Sequence, residues 1–239
     1  MNIKKYIYGV VAAVVFNSTV IAGSYSFNHD EDYYITVFGR ALNILNQDVG
    51  AGSDDFGIEA GGADYEVNYE DAYSVGAIIG FPLVKSFRGE VEGSYSWYDY
   101  SDFDGTADLT IDGTTYTLGG SSKVDGWGRA VSIFSNLIWD VKGDTGISFL
   151  KPYVGWGFGA VRSKEKIDTI VIAGAVVDVY EVDRDTNFAT QLFIGADVLN
   201  TTNWSGGIRL GGARIFINHE EPQSDVEIIG AQLNLRYNF

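Results

Sequence analysis

From residue 32 onward the chain alternates apolar and polar positions in eight stretches, near 32–45, 70–81, 87–100, 126–140, 150–162, 187–199, 203–216 and 226–239. Alternation with a period of two places one set of side chains on each face of an extended strand. The third stretch displays the rule: Phe87, Val91, Tyr95 and Trp97, with Gly89 and Gly93, share one face, and Arg88, Glu90, Glu92, Ser94 and Ser96 share the other. Each stretch is slightly longer than the roughly 9 to 11 residues with which a tilted strand crosses a bilayer's hydrocarbon.

The connections alternate in length. Residues 46–69, 101–125, 163–186 and 218–225 form long ones, 82–86 and 200–202 short ones, and 141–149 an intermediate one. An up-and-down ring of strands with its long loops on one side of a membrane and its turns on the other has this pattern. Pro82, Pro152 and Pro222 fall where strands begin or end, as the missing ladder donor requires. Two long connections carry strand signals of their own. Residues 108–118 alternate around Asp112-Gly113, a favoured hairpin turn, and 167–182 are rich in Val and Ile around Ala173-Gly174. Both predict hairpins projecting outward from an eight-stranded ring; the competing count is ten or twelve strands.

In water the oily face of each strand would turn inward, so alternation alone does not say which side faces lipid. Charge is more informative. Arg40, Arg88, Glu90, Glu92, Arg209 and Arg236 all fall on polar faces of their strands, and the interior of an eight-stranded barrel is just wide enough for side chains to fill it. The expectation is one buried ion-pair and hydrogen-bond network, with Glu92 held by Arg209 or Arg236. The opposing reading is a soluble sheet that carries these charges in solvent.

Near the start, Lys4 and Lys5 precede an apolar run from Tyr6 to Phe16, then a polar Asn17-Ser18-Thr19 and Val20-Ile21-Ala22. This predicts a secretory signal peptide over residues 1–22, with a barrel domain over 23–239. The apolar run is too short for a spanning helix, which needs about 20 residues. There is no cysteine, so the fold does without disulfides. The final nine residues set Ala231, Leu233, Leu235, Tyr237 and Phe239 against Gln232, Asn234, Arg236 and Asn238.

The stretches Phe87-Arg-Gly-Glu-Val-Glu-Gly-Ser-Tyr-Ser-Trp97, Asn136-Leu-Ile-Trp-Asp140, Pro152-Tyr-Val-Gly-Trp-Gly-Phe-Gly-Ala160 and Leu235-Arg-Tyr-Asn-Phe239 resemble the recurrent strand motifs of the opacity-protein family. That family is the eight-stranded, outer membrane protein A-like group of bacterial surface antigens and porin-like proteins. The resemblance implies an all-β, antiparallel, transmembrane barrel in the cell outer membrane, with long extracellular loops and short periplasmic turns. It implies outer-membrane lipid, lipopolysaccharide and the barrel-assembly machinery as partners, with Leu233, Leu235, Tyr237 and Phe239 as the C-terminal insertion signal. No peptidoglycan-binding segment is expected after Phe239. About activity it implies little, because one scaffold serves adhesins, structural proteins and antigens.

Composition bears on what the loops do. Acids outnumber bases 32 to 16, and the net charge of −16 excludes nucleic acid as a natural partner. Three quarters of the acids lie within 46–71, 99–125, 162–187 and 217–227, in or beside the long connections, whereas Lys85, Lys142 and Lys151 sit at the other end. Such a run most simply keeps loops solvated; the sharper reading is that the loops bind cations or a basic host or matrix protein. Asp54-Asp55 and the Asp99, Asp102 and Asp104 cluster offer oxygen ligands without the spacing of an established calcium loop, so no metal site is assigned. After residue 22 the only histidines are His29 and His219, at opposite ends of the expected barrel, and no serine sits in a nucleophile elbow. Neither a catalytic residue nor a cofactor is expected. Two function classes follow: a non-enzymatic surface protein presenting acidic loops for adhesion, host interaction or envelope integrity, or a small-solute channel.

Overall fold

Fourteen strands follow one another through the part of the chain that the computed structural model describes, residues 33–45, 47–49, 59–61, 65–84, 86–105, 108–111, 114–117, 120–141, 150–172, 174–200, 203–216 and 225–239. They are β1 (Tyr34–Ile44), β2 (Gln47–Val49), β3 (Glu59–Gly61), β4 (Tyr65–Tyr69), β5 (Ala72–Val84), β6 (Phe87–Gly105), β7 (Asp108–Ile111), β8 (Thr114–Thr117), β9 (Ser122–Asp140), β10 (Lys151–Ile172), β11 (Ala175–Asp183), β12 (Thr186–Asn200), β13 (Trp204–Phe216) and β14 (Val226–Asn238). The expected signal peptide, residues 1–22, lies outside the described residues.

Eight of these strands close a ring in sequence order, β1, β5, β6, β9, β10, β12, β13, β14 and back to β1, every pair antiparallel. The seam runs from Tyr34 opposite Asn238 to Ile44 opposite Ile228. Closure leaves no unpaired edge and satisfies the backbone internally, the condition for a strand to cross hydrocarbon. Among the described residues no helix is long and apolar enough to cross a membrane.

The outer wall carries an apolar belt. Ile35, Val37, Val75, Ile79, Val91, Val131, Ile133, Leu137, Leu192, Ile194, Ile208, Leu210, Ile229 and Leu235 all point outward and are exposed. Aromatic residues bound the belt. At one rim stand Tyr33, Phe87, Trp139, Trp204, Tyr237 and Phe239, with Trp204 edge-on to Tyr237 at 4.9 Å and Tyr237 edge-on to Phe239 at 5.3 Å. At the other stand Tyr73, Tyr95, Trp97, Phe188 and Phe216, with Tyr73 and Tyr95 each 6.2 Å from Trp97 and Phe188 stacked on Phe216 at 5.8 Å. An exposed belt between aromatic girdles on a closed barrel is a lipid-facing surface. The protein is an outer-membrane barrel, with its turns in the periplasm and its long connections outside.

Beyond the outer girdle the wall continues. β6 runs to Gly105, β9 begins at Ser122 and β10 reaches Ile172, so these three strands overrun the expected limits of 100, 126 and 162. Against this extension pair β4, which carries β2, and β11; β3, β7 and β8 form a separate small sheet. Both expected hairpins are present. Ile111 pairs with Thr114, with 112–113 between them lying outside the described residues, and Ile172 pairs with Ala175 across a turn in which Gly174 takes φ +83°, a left-handed conformation suited to glycine. Neither β7 and β8 nor β11 enters the ring.

Glycines along β10 let large side chains from its neighbours lie flat against the wall. A Cβ at Gly155 would overlap the Phe193 ring, and one at Gly157 would overlap the Asn136 amide.

Candidate functional site

Inward-facing positions of β6 supply Arg88, Glu90 and Glu92 in succession, all buried. They meet side chains delivered from six other strands, in two tiers. In the tier nearer the extracellular side, Glu92 accepts from Arg40 at 2.6 Å, Arg209 at 3.2 Å, Asn136 at 3.3 Å and Gln191 at 3.4 Å. Arg209 also donates to Glu90 at 2.8 Å, and Gln191 to Asn136 at 2.8 Å. Arg40 Nε donates to Gln232 at 2.8 Å, and Gln232 to Asn234 at 2.6 Å. The guanidinium of Arg209 lies 4.0 Å from the centroid of Phe193, and that of Arg40 lies 5.0 Å from Phe38.

In the tier nearer the periplasm, Asp197 receives Arg236 at 2.7 Å and lies 3.7 Å from Arg88, which reaches Asp140 at 3.3 Å. Arg236 and Arg88 also face the Tyr34 ring, at 4.1 and 5.4 Å, and Arg88 lies 4.8 Å from Tyr153. Tyr34 joins the tiers by donating to Glu90 at 2.7 Å. Four guanidinium groups thus face four carboxylates inside a wall of lipid-facing side chains. Charges withdrawn from water are tolerable only when so paired and hydrogen-bonded.

All six charged residues singled out in the sequence lie in this plug. Two details differ from the expectation. Glu92 is held by Arg209, one of its two expected partners, and also by Arg40, whereas Arg236, further along β14 than Gln232, lies in the lower tier and engages Asp197. Asp140 and Asp197, needed to balance the charge, had not been singled out. Both were legible: Asp197 has the inward parity of Gln191 and Phe193, and Asp140 that of Asn136 and Ile138.

Above the plug lies a chamber of about 160 Å³, floored by Arg40, Arg209, Gln191 and Gln232. Apolar groups such as Leu42, Ile44, Phe134, Val161 and Ile228 dominate its walls. Near its top, beyond the outer girdle, Tyr98 and Tyr100 both donate to Glu165 while Tyr69 packs 5.7 and 5.3 Å from their rings. Glu165 had been read as part of a loop. Above the chamber, Val67, Tyr100, Phe103, Val124, Ile167, Ile170, Ile172 and Val177 form an apolar core inside the extension.

The C-terminal residues Leu233, Leu235, Tyr237 and Phe239 all point to the outer face, with Phe239 67% exposed and its backbone N–H donating to Tyr33 O at 3.0 Å. Of the acidic candidates, Asp102 accepts from Ser121 at 2.9 Å. Among the described residues no group of three metal-ligating side chains is close enough to hold an ion. Asp54, Asp55, His29, His219, Lys85 and Lys142 lie outside the described residues.

No family model and no curated protein sequence matches the chain. Solved structures similar to it include Neisserial surface protein A (TM-score 0.46, 13% identity, covering 87% of this chain and 97% of that one). Others are the outer membrane protease OmpT from Escherichia coli (0.49, 9%, 90% and 99%) and the outer membrane protein OprG from Pseudomonas aeruginosa (0.44, 12%, 88% and 97%). The eight-stranded ring is the architecture implied by the resemblance of the strand motifs to the opacity and outer membrane protein A-like group.

Proposed function

We propose that this protein is a non-enzymatic surface scaffold, a barrel that holds acidic extracellular loops in place for adhesion, host contact or envelope integrity. The plug carries this reading: Glu92 is 0% exposed and takes hydrogen bonds from four side chains on four different strands. Solute could pass only if these pairs separated, and breaking a buried pair typically costs about 3 to 5 kcal/mol. The loops are the part that reaches other cells, and a rigid frame presenting variable connections is a common way to build binding sites.

The channel reading draws on the chamber above the plug. Planar-bilayer recording separates the two: the scaffold gives no stepwise conductance, whereas steps that grow when Glu92 is replaced by Gln would establish a gated pore. Binding supplies the positive test. Screened against host-cell and matrix components, the intact protein should retain a ligand that is lost when residues 46–69, 101–125, 163–186 and 218–225 are each replaced by short turns. Retention by the loop-less barrel would move the function into the wall or the chamber.

A further inference from the structure

Outward-facing positions of β9 and β10 just past the lipid belt gather four basic side chains, Arg129, Arg162, Lys164 and Lys166. Arg162 stands opposite Val131, Lys164 opposite Arg129, and Lys166 opposite Trp127. The Arg129 guanidinium lies 4.8 Å from the Trp127 ring centroid and the Lys164 ammonium 5.4 Å from it, so one ring holds two cations together. Arg129 also reaches Tyr95 Oη at 3.4 Å. Lys166 is paired with Asp168; among the described residues, Arg129, Arg162 and Lys164 form no ion pair. Asp99 and Asp125 lie one step further out, exposed.

The patch sits where the bilayer's head groups must lie. On the same two strands, Val131 stands level with Arg162 and is 58% exposed, and beneath them Ile133 is 58% and Phe158 48% exposed, so acyl chains end at the patch's lower border. Three cations cluster at that level in a chain where acids outnumber bases 32 to 16, against the trend of the whole surface. Guanidinium groups bind phosphate through paired N–H donors, and an ammonium adds a point charge.

We infer that Arg129, Arg162 and Lys164 form a binding site for the phosphates of an outer-leaflet glycolipid, lipopolysaccharide, whose acyl chains lie along Val131, Ile133 and Phe158. The site is independent of the loop-borne function proposed above. It fixes one face of the barrel to its annular lipid.

The test uses the full folded chain in phosphatidylcholine nanodiscs, titrated with fluorescent lipid A, the same glycolipid with its phosphates removed, and inorganic phosphate as competitor. A basic residue near an anionic surface is worth about 1 kcal/mol. The triple variant Arg129→Gln, Arg162→Gln, Lys164→Gln should therefore bind lipid A roughly 100-fold more weakly, and Lys164→Gln alone about 5-fold. The control triple Lys123→Gln, Lys151→Gln, Arg214→Gln removes equal charge elsewhere and should leave binding unchanged. Heat-modifiable migration on a gel reports that each variant is folded, and the dephosphorylated glycolipid, which should bind the unaltered protein as weakly as lipid A binds the triple variant, needs no variant at all. Equal losses in the two triple variants would reduce the effect to diffuse charge. Equal binding of the dephosphorylated glycolipid would leave only apolar contact, and displacement by inorganic phosphate at matching concentration would make this a small-anion site. Each of these three results overturns the inference.

Discussion

Below Val161, β10 turns Trp156 and Phe158 outward and Gly155 and Gly157 inward; above it, the same strand turns Arg162 and Lys164 outward and Ile167, Ile170 and Ile172 inward. β9 changes in the same way, from exposed Leu137 and Ile133 around buried Asn136 to exposed Lys123 and Asp125 around buried Val124. The ladder between the two strands runs on through the change, interrupted only at a bulge near Ile167. Hydrogen bonding is therefore indifferent to which face is oily, and the solvent outside decides it. Within the bilayer the wall is apolar and the contents charged; outside it the barrel becomes an ordinary sheet protein with an apolar core. One chain keeps a single side-chain period and exchanges the meaning of its two faces.

The strongest way to break this comparison is to unbalance the charged interior. Glu92→Gln leaves Arg209 and Arg40 short of a carboxylate, and urea unfolding in detergent or lipid should show a loss of about 3 to 5 kcal/mol. A loss under about 1 kcal/mol would place these charges in solvent-like surroundings. Next comes the outer wall: Ile133→Arg, within the belt, should cost about 2 to 4 kcal/mol, whereas Asp125→Arg, on the same face of the same strand but above the belt, should stay within about 0.5 kcal/mol. Equal costs would erase the boundary drawn at the girdle. In the extension, Ile167→Val trims a fully buried side chain and should cost about 0.5 to 1.5 kcal/mol, read as faster proteolysis of the extension while heat-modifiable migration of the barrel persists. The smallest effect belongs to the exposed pair of Arg214 and Asp225, at 2.7 Å with the arginine side chain 54% exposed. Asp225→Asn should cost about 0 to 1 kcal/mol, a difference that salt removes.

The same inversion explains which parts of the fold were legible in the sequence. Alternation with apolar residues on one face located all eight ring strands, and Asp-Gly and Ala-Gly located both outer hairpins, because turn chemistry and side-chain period are local. Strand limits at 100, 126 and 162 fell short of the true ends because beyond them the outward positions become Lys, Arg and Asp, so that a continuing strand resembles a loop. Glu165 was hidden by this, and with it the Tyr98 and Tyr100 hydroxyls that it binds. The six charges of the plug could be selected by parity alone, but their pairing could not. Whether Arg236 meets Glu92 or Asp197 depends on how far β14 is staggered against β6 across the ring, and no local pattern records that stagger.

The seam between β1 and β14 has a consequence for time. Its eleven residue pairs, from Tyr34 with Asn238 to Ile44 with Ile228, join parts of the chain about 200 residues apart, the most costly contact order the ring contains. In a ring that assembles in chain order this seam closes last. Before that moment the sheet has two open margins able to capture another chain; afterwards no strand can peel away without tearing two ladders at once. Escape from the closed state is correspondingly slow, and the lifetime of the barrel becomes a matter of kinetics more than of the depth of its energy minimum.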